Sequence, residues 1–397
     1  MRVERKRRKA GGKKVFTKKA GGDKGMKWFK PFKWFIFSFF IVLNILFMLA
    51  LIASAYSGLV SPEKNIVFAY AGLLFPVLIL VNCCFLLYWI IVKRWILTFL
   101  LIAILTVCWR PFTVFCPFHL KTNEQSREEL IKILSYNVMS FAYKNHTKAE
   151  SNKIIQYIAE SDADIVCLQE YMVSDRPNLM SSQTVSKALS MYPYRAEIVF
   201  SSAENKNFQY GLALLSKFPI LSSKKIDYPS LYSGAAIHEI NINGKKVTVI
   251  NNHLESFKLT TEDRTKYADM FTNVNFESFE VIREVLQRKL SQAFRIRAKQ
   301  SEMIATEINK ANGYYTIVCG DFNDTPLSYA CRTIQGSYID AYAESGMGMG
   351  ISYNQNYFLF RIDHIFHSAN MNAYNCRVDS SIKMSDHYPI YCYLKFK

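Results

Sequence analysis

The sequence lacks the patterns that mark several common classes of protein. Its nine cysteines form no Cys-x-x-Cys pair and no spacing typical of metal ligands, so they predict neither a zinc site nor a disulfide framework. The chain has no internal repeat and no glycine-rich phosphate loop of the Gly-x-Gly-x-x-Gly kind.

Acidic residues are scarce at the front of the chain. Residues 1–120 contain 18 Lys and Arg against 3 Asp and Glu, whereas residues 121–397 contain 31 against 29. The net charge of +17 therefore belongs almost entirely to the front of the chain. It is poor evidence that the rest of the chain binds nucleic acid.

The front of the chain is predicted to form a basic tail followed by a membrane module. Residues 1–30 carry 13 basic side chains and almost nothing apolar, which predicts a disordered cytoplasmic tail. An arm that binds nucleic acid or anionic lipid is the alternative for this tail. Residues 31–118 contain uncharged apolar runs long enough to cross a bilayer. We expect about three transmembrane helices, within Trp34–Tyr56, Ile66–Val92 and Trp95–Trp109.

The third apolar run decides the topology. It is long enough to span only if it continues through Phe112–Phe118 and Arg110 snorkels to the membrane surface. By the positive-inside rule the tail and Lys93-Arg94 are cytoplasmic, and the loop of residues 57–65 lies outside. Three crossings place everything after residue 120 outside the cytoplasm, which is our expectation. A third segment that only lies in the interface would leave the domain in the cytoplasm.

Residues 121–397 have the pattern of a soluble α/β domain. Short apolar runs alternate with helical spacing, and Asn243-Gly244 between two runs is a strong hairpin signal, because both turn positions accept positive φ. The longest helical spacing covers residues 262–309. Hairpins with helices between them favour two packed mixed sheets covered by helices.

Polar residues lie at the ends of the predicted strands, where they can converge on one rim of the sheets. Asn137, Glu170 and Asp386 offer the oxygen ligands that a hard divalent cation needs. His387 is a candidate general base if a second carboxylate, Asp363, fixes its tautomer. Taken singly, each of these residues has an ordinary role as a cap, a turn or a solvated acid. The full set is Asn137, Glu170, His253, Asp321, Asn323, Asp363, Asp386 and His387.

At these positions the sequence resembles the endonuclease/exonuclease/phosphatase superfamily, over about residues 130–397. A membrane-anchored bacterial branch of that superfamily is also similar. The resemblance implies the pancreatic-deoxyribonuclease-like fold, a four-layer αββα sandwich of two mixed sheets, here preceded by the transmembrane module and placed at a bacterial inner membrane. The motifs that carry the resemblance are Leu134–Val138, Leu168–Glu170, Tyr210–Lys217, Asn252–Leu254, Gly320–Asp324, Arg361–Phe366 and Ser385–Pro389.

The resemblance also implies roles for the metal and the base. Glu170 is expected to be the principal ligand of Mg²⁺, with Mn²⁺ as the alternative metal. Asn137 and Asp386 complete the surroundings of the metal. His387, oriented by Asp363, is expected to activate water.

The remaining site residues are expected to act on the phosphate. Asp321 would orient the attacking water or protonate the leaving group, and Asn323 would hold a phosphate oxygen. His253 would stabilise charge on the phosphoryl oxygens or assist the leaving group. The implied reaction is metal-dependent hydrolysis of a phosphodiester bond by water, without a covalent intermediate.

The substrate is less specified than the reaction. A nuclease is the first expectation, because nucleases are the broadest membership of the superfamily. The alternative is a sphingomyelinase-like lipid-headgroup phosphodiesterase or a phosphatase, which the membrane module and the nearly neutral C-terminal domain favour. A catalytically inactive binding protein is the third alternative, and the complete set of catalytic residues opposes it.

Residues 255–300 follow His253 directly and mix basic with aromatic side chains. One interpretation is a lid that grips a polyanion through residues such as Arg288, Arg295 and Arg297. The other is an amphipathic helical pair that covers the edge of a sheet.

Overall fold

The computed structural model describes residues 26–121, 129–147, 150–202, 208–228, 230, 232–257, 276–355 and 359–397. Most of the predicted tail, most of the predicted linker and residues 258–275 of the predicted lid lie outside them. The helices are α1 (Met26–Ala55), α2 (Ile66–Leu73), α3 (Phe75–Ile91), α4 (Trp95–Val107), α5 (Trp109–Phe115), α6 (Lys153–Glu160), α7 (Ser182–Ala188), α8 (Phe276–Ala311), α9 (Tyr329–Gln335) and α10 (Ala341–Ser345).

The strands are short, and most match the apolar runs seen in the sequence. They are β1 (Ile131–Asn137), β2 (Ile165–Ser174), β3 (Tyr194–Ser202), β4 (Phe208–Ser216), β5 (Ile220–Ile226), β6 (Gly234–Ile242), β7 (Lys245–His253), β8 (Tyr315–Asp321), β9 (Ile339–Asp340), β10 (Asp363–His367), β11 (Met371–Val378) and β12 (Ile390–Phe396).

The chain divides into two compact units, Met1–Phe47 and Met48–Lys397. Helix α1 supplies the described part of the first unit, and its residues Trp34–Ala55 are long and apolar enough to cross a membrane. In the second unit, α2 and α3 form a pair bent by 64°, and α4 and α5 a pair bent by 53°. The described residues thus contain one candidate span, or up to three if each bent pair is one span. The division into tail, membrane module and catalytic domain stays a prediction.

Each bend coincides with a proline. Pro76 lies in the first turn of α3, and Pro111 lies in the first turn of α5. Proline has no N–H to donate to the carbonyl four residues earlier, so the preceding helix ends there. For Pro111 that carbonyl belongs to Val107, and its oxygen accepts a hydrogen bond of 2.8 Å from the hydroxyl of Tyr56. The bend is thereby built without an unsatisfied carbonyl.

Two six-stranded mixed sheets form the centre of the second unit. The strand orders are β11-β12-β1-β2-β4-β3 and β5-β6-β7-β8-β10-β9. Each sheet contains one parallel pair, β1 with β2 and β7 with β8, and its other neighbours are antiparallel. Helices cover both outer faces, so the predicted four-layer αββα sandwich is confirmed.

Three apolar clusters hold the four layers together. Side chains such as Ile133 and Leu214 of the first sheet and Val249 and Ile317 of the second fill the space between the sheets. A second cluster packs α6 and α7 against the outer face of the first sheet. A third packs α8 and α9 against the outer face of the second sheet. The part of α8 that packs on the sheet, with Ile304 and Ile308, lies beyond residue 300, so a helical pair over residues 255–300 at a sheet edge stays a prediction.

The apolar segments of the second unit contact the sandwich at helix α8 and at loops that follow or precede strands of the second sheet. The hydroxyl of Ser57 donates to the carbonyl of Leu327 at 3.2 Å, and the hydroxyl of Tyr70 donates to that of Gln287 at 2.7 Å. The guanidinium of Arg361 donates to the carbonyl of Val114. Leu327 follows β8 and Arg361 precedes β10, so both contacts lie near the same ends of these strands.

The close approach of β7 and β8 requires glycine at position 320. Gly320 has φ +135°, and a Cβ at this position would lie 2.0 Å from the carbonyl oxygen of its pairing partner Asn252. Both the backbone conformation and the contact exclude a side chain. By contrast, Gly244 in the β6–β7 turn has φ +85° and open space around the position of a Cβ.

We expect Gly320→Ala to destabilise the protein by about 3 kcal/mol or more, because the β7 and β8 backbones must separate. The matched control Gly244→Ala should cost only about 1–2 kcal/mol, the strain of positive φ alone. Thermal unfolding of both purified variants in the same detergent measures the difference. Equal melting temperatures for the two variants would contradict this account of the β7–β8 pair.

Candidate active site

The predicted site residues meet at one edge of the two sheets. Asp321 ends β8 and pairs across the sheet with His253, which ends β7, and with Asp363, which begins β10. In the first sheet, Asn137 ends β1 beside Gln169 of β2. We call this edge, comprising Asn137, Glu170, His253, Asp321, Asp363 and His387, the polar edge.

A carboxylate and an imidazole form a tight pair at the polar edge. His387 Nδ1 lies 2.8 Å from Asp363 Oδ2, and both side chains are buried. The hydroxyl of Ser352 accepts hydrogen bonds from the backbone N–H groups of Ile362 and Asp363, at 3.0 and 3.1 Å. The ring of Tyr353 packs against His387 with the two centroids 5.2 Å apart. These contacts fix the imidazole so that its Nε2 points to Asp321, at 3.5 Å.

Asp321 lies at the centre of the polar edge. Its carboxylate accepts hydrogen bonds from the side chain of Asn137 at 3.0 Å, and from the backbone and side chain of Asn323 at 2.8 and 3.2 Å. His253 Nε2 lies 3.7 Å from Oδ2 of Asp321 and 3.7 Å from Oε1 of Glu170. The carboxylate thus joins the first sheet, through Asn137, to the second.

A β-bulge turns Glu170 toward the second sheet. The pairing of β2 with β4 shifts between Leu168 and Tyr171, so Gln169 and Glu170 face one residue of β4. Glu170 has φ +51° inside this bulge. Successive strand residues normally point to opposite faces, and the bulge lets both of these side chains reach the second sheet. Glu170 keeps 27% of its side chain exposed and receives a 3.3 Å hydrogen bond from Asn137.

Gly211 makes room for this bulge from the other side of β4. A Cβ at Gly211 would lie 1.9 Å from the carbonyl oxygen of Ile198. The pairing of β4 with β3 also shifts here, between Val199 and Ser201. Glycine at position 211, inside β4, is therefore needed for the close approach of β4 to β3.

The chain after Asn137 takes an uncommon left-handed path. Residues 139–143 all have φ between 43° and 56°, although none is glycine. Asn137 Oδ1 accepts from the backbone N–H of Met139 at 3.1 Å, and the side chain of Asn152 donates to the carbonyl of Phe141 at 2.9 Å. Such conformations persist only where surrounding contacts impose them, and they are concentrated at functional sites.

The charges at the polar edge shift the pKa of several groups. Burial, reinforced by the negative charge of Asp386, raises the pKa of Glu170 to about 7. Burial likewise raises the pKa of Asp321 and lowers that of His253. Burial alone would lower the pKa of His387, but the carboxylates of Asp363 and Asp321 outweigh it and raise that pKa well above its usual value. The two histidines therefore differ, with His253 neutral and His387 cationic at neutral pH.

The donor set suits a hard divalent cation. Glu170, Asp321, Asp363 and Asp386 are four acids near one another, and among the described residues no lysine or arginine forms an ion pair with them. His387 supplies the cationic partner that the structure describes. Carboxylate oxygens with excess negative charge are the ligands that Mg²⁺ and Mn²⁺ prefer. The site therefore fits a metal, although its identity stays a prediction.

The arrangement of possible ligands differs in part from the predicted one. One oxygen each of Asp321 and Asp363 and one nitrogen of His387 lie within 4.8 Å of one another, a grouping able to hold an ion. Asn137 turns its amide NH₂ group toward Glu170 and Asp321, while its oxygen accepts from Met139. In this arrangement Asn137 bridges two acids, and ligation through its oxygen would require the amide to turn.

Asn323 is also more engaged than its predicted role requires. Its side-chain nitrogen donates to the carbonyl of Leu254 at 3.0 Å and to Asp321 at 3.2 Å. Its φ of +50° turns the chain out of β8. To hold a phosphate oxygen, as predicted, Asn323 would exchange one of these hydrogen bonds.

Sequence reasoning missed two groups that support the site. Beneath the polar edge, the side chain of Gln169 donates to Asn251 of the second sheet at 2.7 Å and to Ser135 at 3.1 Å. Behind the loop after β8, buried Arg297 pairs with buried Asp324 at 3.0 Å. Arg297 is therefore not available to grip a polyanion, contrary to the lid interpretation. The charge of Asp324, next to Asn323, was the available signal for this pair.

The comparison with protein families decides the identity. A model described as the endonuclease/exonuclease/phosphatase family matches residues 134–387, which is more than half of the chain. The chain belongs to the endonuclease/exonuclease/phosphatase family. Its members hydrolyse phosphoester bonds, generally with a divalent metal. A second model, described as a domain of unknown function, matches residues 37–115.

Individual relatives of this family member are distant. It is 25% identical over 213 residues to an inositol phosphosphingolipids phospholipase C of Schizosaccharomyces pombe, and the match covers 50% of this chain and 42% of that protein. The human nocturnin catalytic domain with bound sulfate has 18% identity and a TM-score of 0.48, covering 70% of this chain and 96% of that one. An endonuclease/exonuclease/phosphatase from Bacteroides vulgatus has 17% identity and a TM-score of 0.46, covering 68% and 99%.

The raised pKa of Glu170 predicts that the metal-free protein loses stability as pH rises. The folded state holds a proton on Glu170 up to about pH 7, whereas the unfolded chain releases it near its ordinary pKa of about 4.3. Stability is therefore full below the unfolded pKa and lost between the two values. We expect the melting temperature in EDTA to fall over this range, and Glu170→Gln to flatten the fall. A profile unchanged by Glu170→Gln but changed by the exposed control Glu160→Gln would contradict this.

Proposed function

We propose that this protein is a membrane-anchored, metal-dependent phosphodiesterase in which water attacks the phosphorus directly. The observation that carries the proposal is the His387–Asp363 pair at 2.8 Å, whose free Nε2 faces Asp321. A histidine held by a carboxylate in one tautomer is the arrangement of a general base. Here the imidazole of His387 faces the acids that would hold the metal.

Glu170 and Asp386 would hold the cation, with Asp321 and Asp363 adjacent to it. A bound divalent cation would supply positive charge that offsets these acids and stabilises the charge of the phosphoryl oxygens. The same charge would lower the pKa of His387 and so favour its neutral form, which can accept a proton. His387 would take the proton of the attacking water while Asp363 holds the imidazole in place. Asp321 would orient the attacking water or give a proton to the leaving oxygen, and burial raises the pKa of its carboxyl group. Neutral His253 would donate a hydrogen bond to a phosphoryl oxygen.

For the substrate we propose the phosphodiester of a membrane lipid headgroup. The contacts of Ser57 with Leu327 and of Val114 with Arg361 support this, because they hold apolar helices beside the loops that flank the polar edge. The nearly neutral charge of residues 121–397 also opposes a polyanion as the preferred substrate. The relative with a lipid-directed name is consistent with the same choice.

A nuclease, the first expectation from the sequence, is the second candidate. The observation that favours it is the basic surface of α8, where Arg288 and Arg295 are exposed beyond the buried Leu290 and Phe294. Such a surface attracts phosphates of nucleic acid and of anionic membranes alike. Binding of a nucleic acid would, however, weaken steeply as salt rises.

The proposed side of the membrane follows from the same contacts. Ser57 lies in the loop between the first two predicted spans and contacts Leu327 of the sandwich, so that loop and the domain share a side. Lys93 and Arg94 lie at the far turn between α3 and α4. A basic turn is retained in the cytoplasm, so the catalytic domain would be extracytoplasmic.

The substrate proposal predicts headgroup release by the full chain in detergent with Mg²⁺. We expect release from phospholipid or sphingolipid in mixed micelles with that detergent, with plasmid DNA and RNA left intact in the same buffer. His387→Ala should lower the rate by about 10²–10⁴-fold, the usual contribution of a general base. If nucleic acid is cleaved in place of lipid, and His387→Ala abolishes that cleavage, the protein is a nuclease. Activity unaffected by His387→Ala would remove the proposed base.

The topology proposal predicts the behaviour of reporters fused after Lys397. Alkaline phosphatase, which folds only outside the cytoplasm, should be active, and green fluorescent protein, exported unfolded, should be dark. Fusions to truncations ending at Lys93 should give the opposite pattern, because that turn is expected in the cytoplasm. A fluorescent C-terminal fusion would place the catalytic domain in the cytoplasm.

A further inference from the structure

A cavity of about 520 Å³ lies within the second unit, and no residue of the polar edge lines it. One wall comes from the apolar segments, with Tyr56, Gly58 and Pro111 among its residues, and the other comes from the sandwich, with Leu327 and Gln335. None of these residues takes part in the reaction proposed above. The cavity therefore needs a separate explanation.

Two arginines line this cavity from opposite walls. Arg110 belongs to α5 and Arg332 to α9, and both side chains are exposed. Among the described residues neither guanidinium group has an acidic partner, and the lining contains no aspartate or glutamate. Guanidinium groups bind phosphate oxygens in a fork of two hydrogen bonds. Two arginines without acidic partners therefore mark a site for a phosphate-bearing anion.

Apart from Tyr56 and Gln335, the rest of the lining is apolar. Ala55, Leu59, Pro111, Val114 and Leu327 contribute hydrocarbon surface to the same cavity. A free phosphate ion would leave this surface uncovered. A ligand with an anionic head and an apolar body would satisfy both parts of the lining.

The position of the cavity along the apolar helices is that of a membrane surface. It lies at the end of α1, where the first candidate span ends, and beside the bend between α4 and α5. The hydrogen bond from the hydroxyl of Tyr56 to the carbonyl of Val107 sets this bend level with the end of α1. Trp109, next to Arg110, is 62% exposed, and Phe118 and Leu120 just beyond α5 are each 75% exposed. Exposed aromatic side chains next to an arginine are typical of the boundary between hydrocarbon and headgroups.

We propose that this cavity binds the phosphate headgroup of an anionic phospholipid, with Arg110 and Arg332 as its ligands. The lipid's acyl chains would leave along the apolar helices toward the hydrocarbon. This site is independent of the proposed reaction, because it shares no residue with the polar edge. It also gives a function to Arg110, for which the sequence predicted only snorkelling to the membrane surface.

The proposed site is connected through the backbone to the loop that follows β8 and contains Asn323. Leu327 lines the cavity and its carbonyl accepts the hydrogen bond from Ser57. At Gly58 a Cβ would lie 2.6 Å from the same carbonyl oxygen, so the two segments are in tight contact. A bound lipid would therefore brace the segment that runs from Asn323 to Leu327.

Native mass spectrometry of the full chain tests the proposal with two probes, phosphatidylglycerol and the zwitterionic phosphatidylcholine. We expect phosphatidylglycerol to be retained in preference to phosphatidylcholine. Arg110→Gln and Arg332→Gln should each weaken its binding about tenfold, the worth of one charged contact. The control Lys187→Gln, which removes an exposed charge on α7, should leave binding unchanged. Leu59→Trp should also weaken binding, because it fills the cavity while both arginines remain.

Three results would overturn the proposal. Retention of phosphatidylglycerol by the Arg110→Gln/Arg332→Gln double variant at the wild-type level would remove the two ligands. Equal loss with Lys187→Gln would reduce the effect to total charge. Full displacement of phosphatidylglycerol by inorganic phosphate at millimolar concentration would show that the site binds a soluble anion and not a lipid. Arg332 is exposed on a surface helix, so Arg332→Gln should melt like the wild type in lipid-free detergent and decides the outcome by itself.

Discussion

The buried carboxylate of Asp321 accepts hydrogen bonds from both sheets of the sandwich. Asn137 reaches it from β1, and Asn323 reaches it from the turn that leaves β8. Both histidines of the polar edge are placed around it, with His387 at 3.5 Å and His253 at 3.7 Å. Since a buried acceptor without donors costs about 1–3 kcal/mol or more, this carboxylate couples the packing of the sheets to the geometry of the site. The tight β7–β8 pair at Gly320 is what delivers it there.

Much of the site could be predicted because its residues lie in short motifs at strand ends. Asn137, His253 and Asp321 end strands whose apolar runs are evident in the sequence, so their convergence follows once two sheets are assumed. Glu170 is different, because only the bulge in β2 turns it toward His253, and a bulge depends on the register with β4. The hydrogen bond of Gln169 to Asn251 depends on sheet-to-sheet packing in the same way. No pattern within either strand specifies such a partner.

Elements that lack a periodic pattern were also missed. Strand β5 has the sequence Ile-Leu-Ser-Ser-Lys-Lys-Ile and four exposed residues in a row, as an edge strand permits, so alternation gave no signal. Arg297 was grouped with the basic residues of a lid, yet it is buried against Asp324, and the rings of Phe257 and Phe294 lie 4.7 and 5.0 Å from its guanidinium carbon. Charge composition alone could not separate this structural arginine from the exposed Arg288 and Arg295. That distinction required the helix's buried face.

The contacts of Ser57 with Leu327 and of Val114 with Arg361 have a consequence for selectivity. They join the apolar segments to the loop after Asp321 and the loop before Asp363. If these segments span a membrane as proposed, the proposed catalytic groups are held at a fixed height above its surface. In that arrangement a phosphorus atom would react only if its distance from the hydrocarbon matched that height. Under the lipid proposal, the length of a headgroup, as well as its chemistry, would then decide whether it is cleaved.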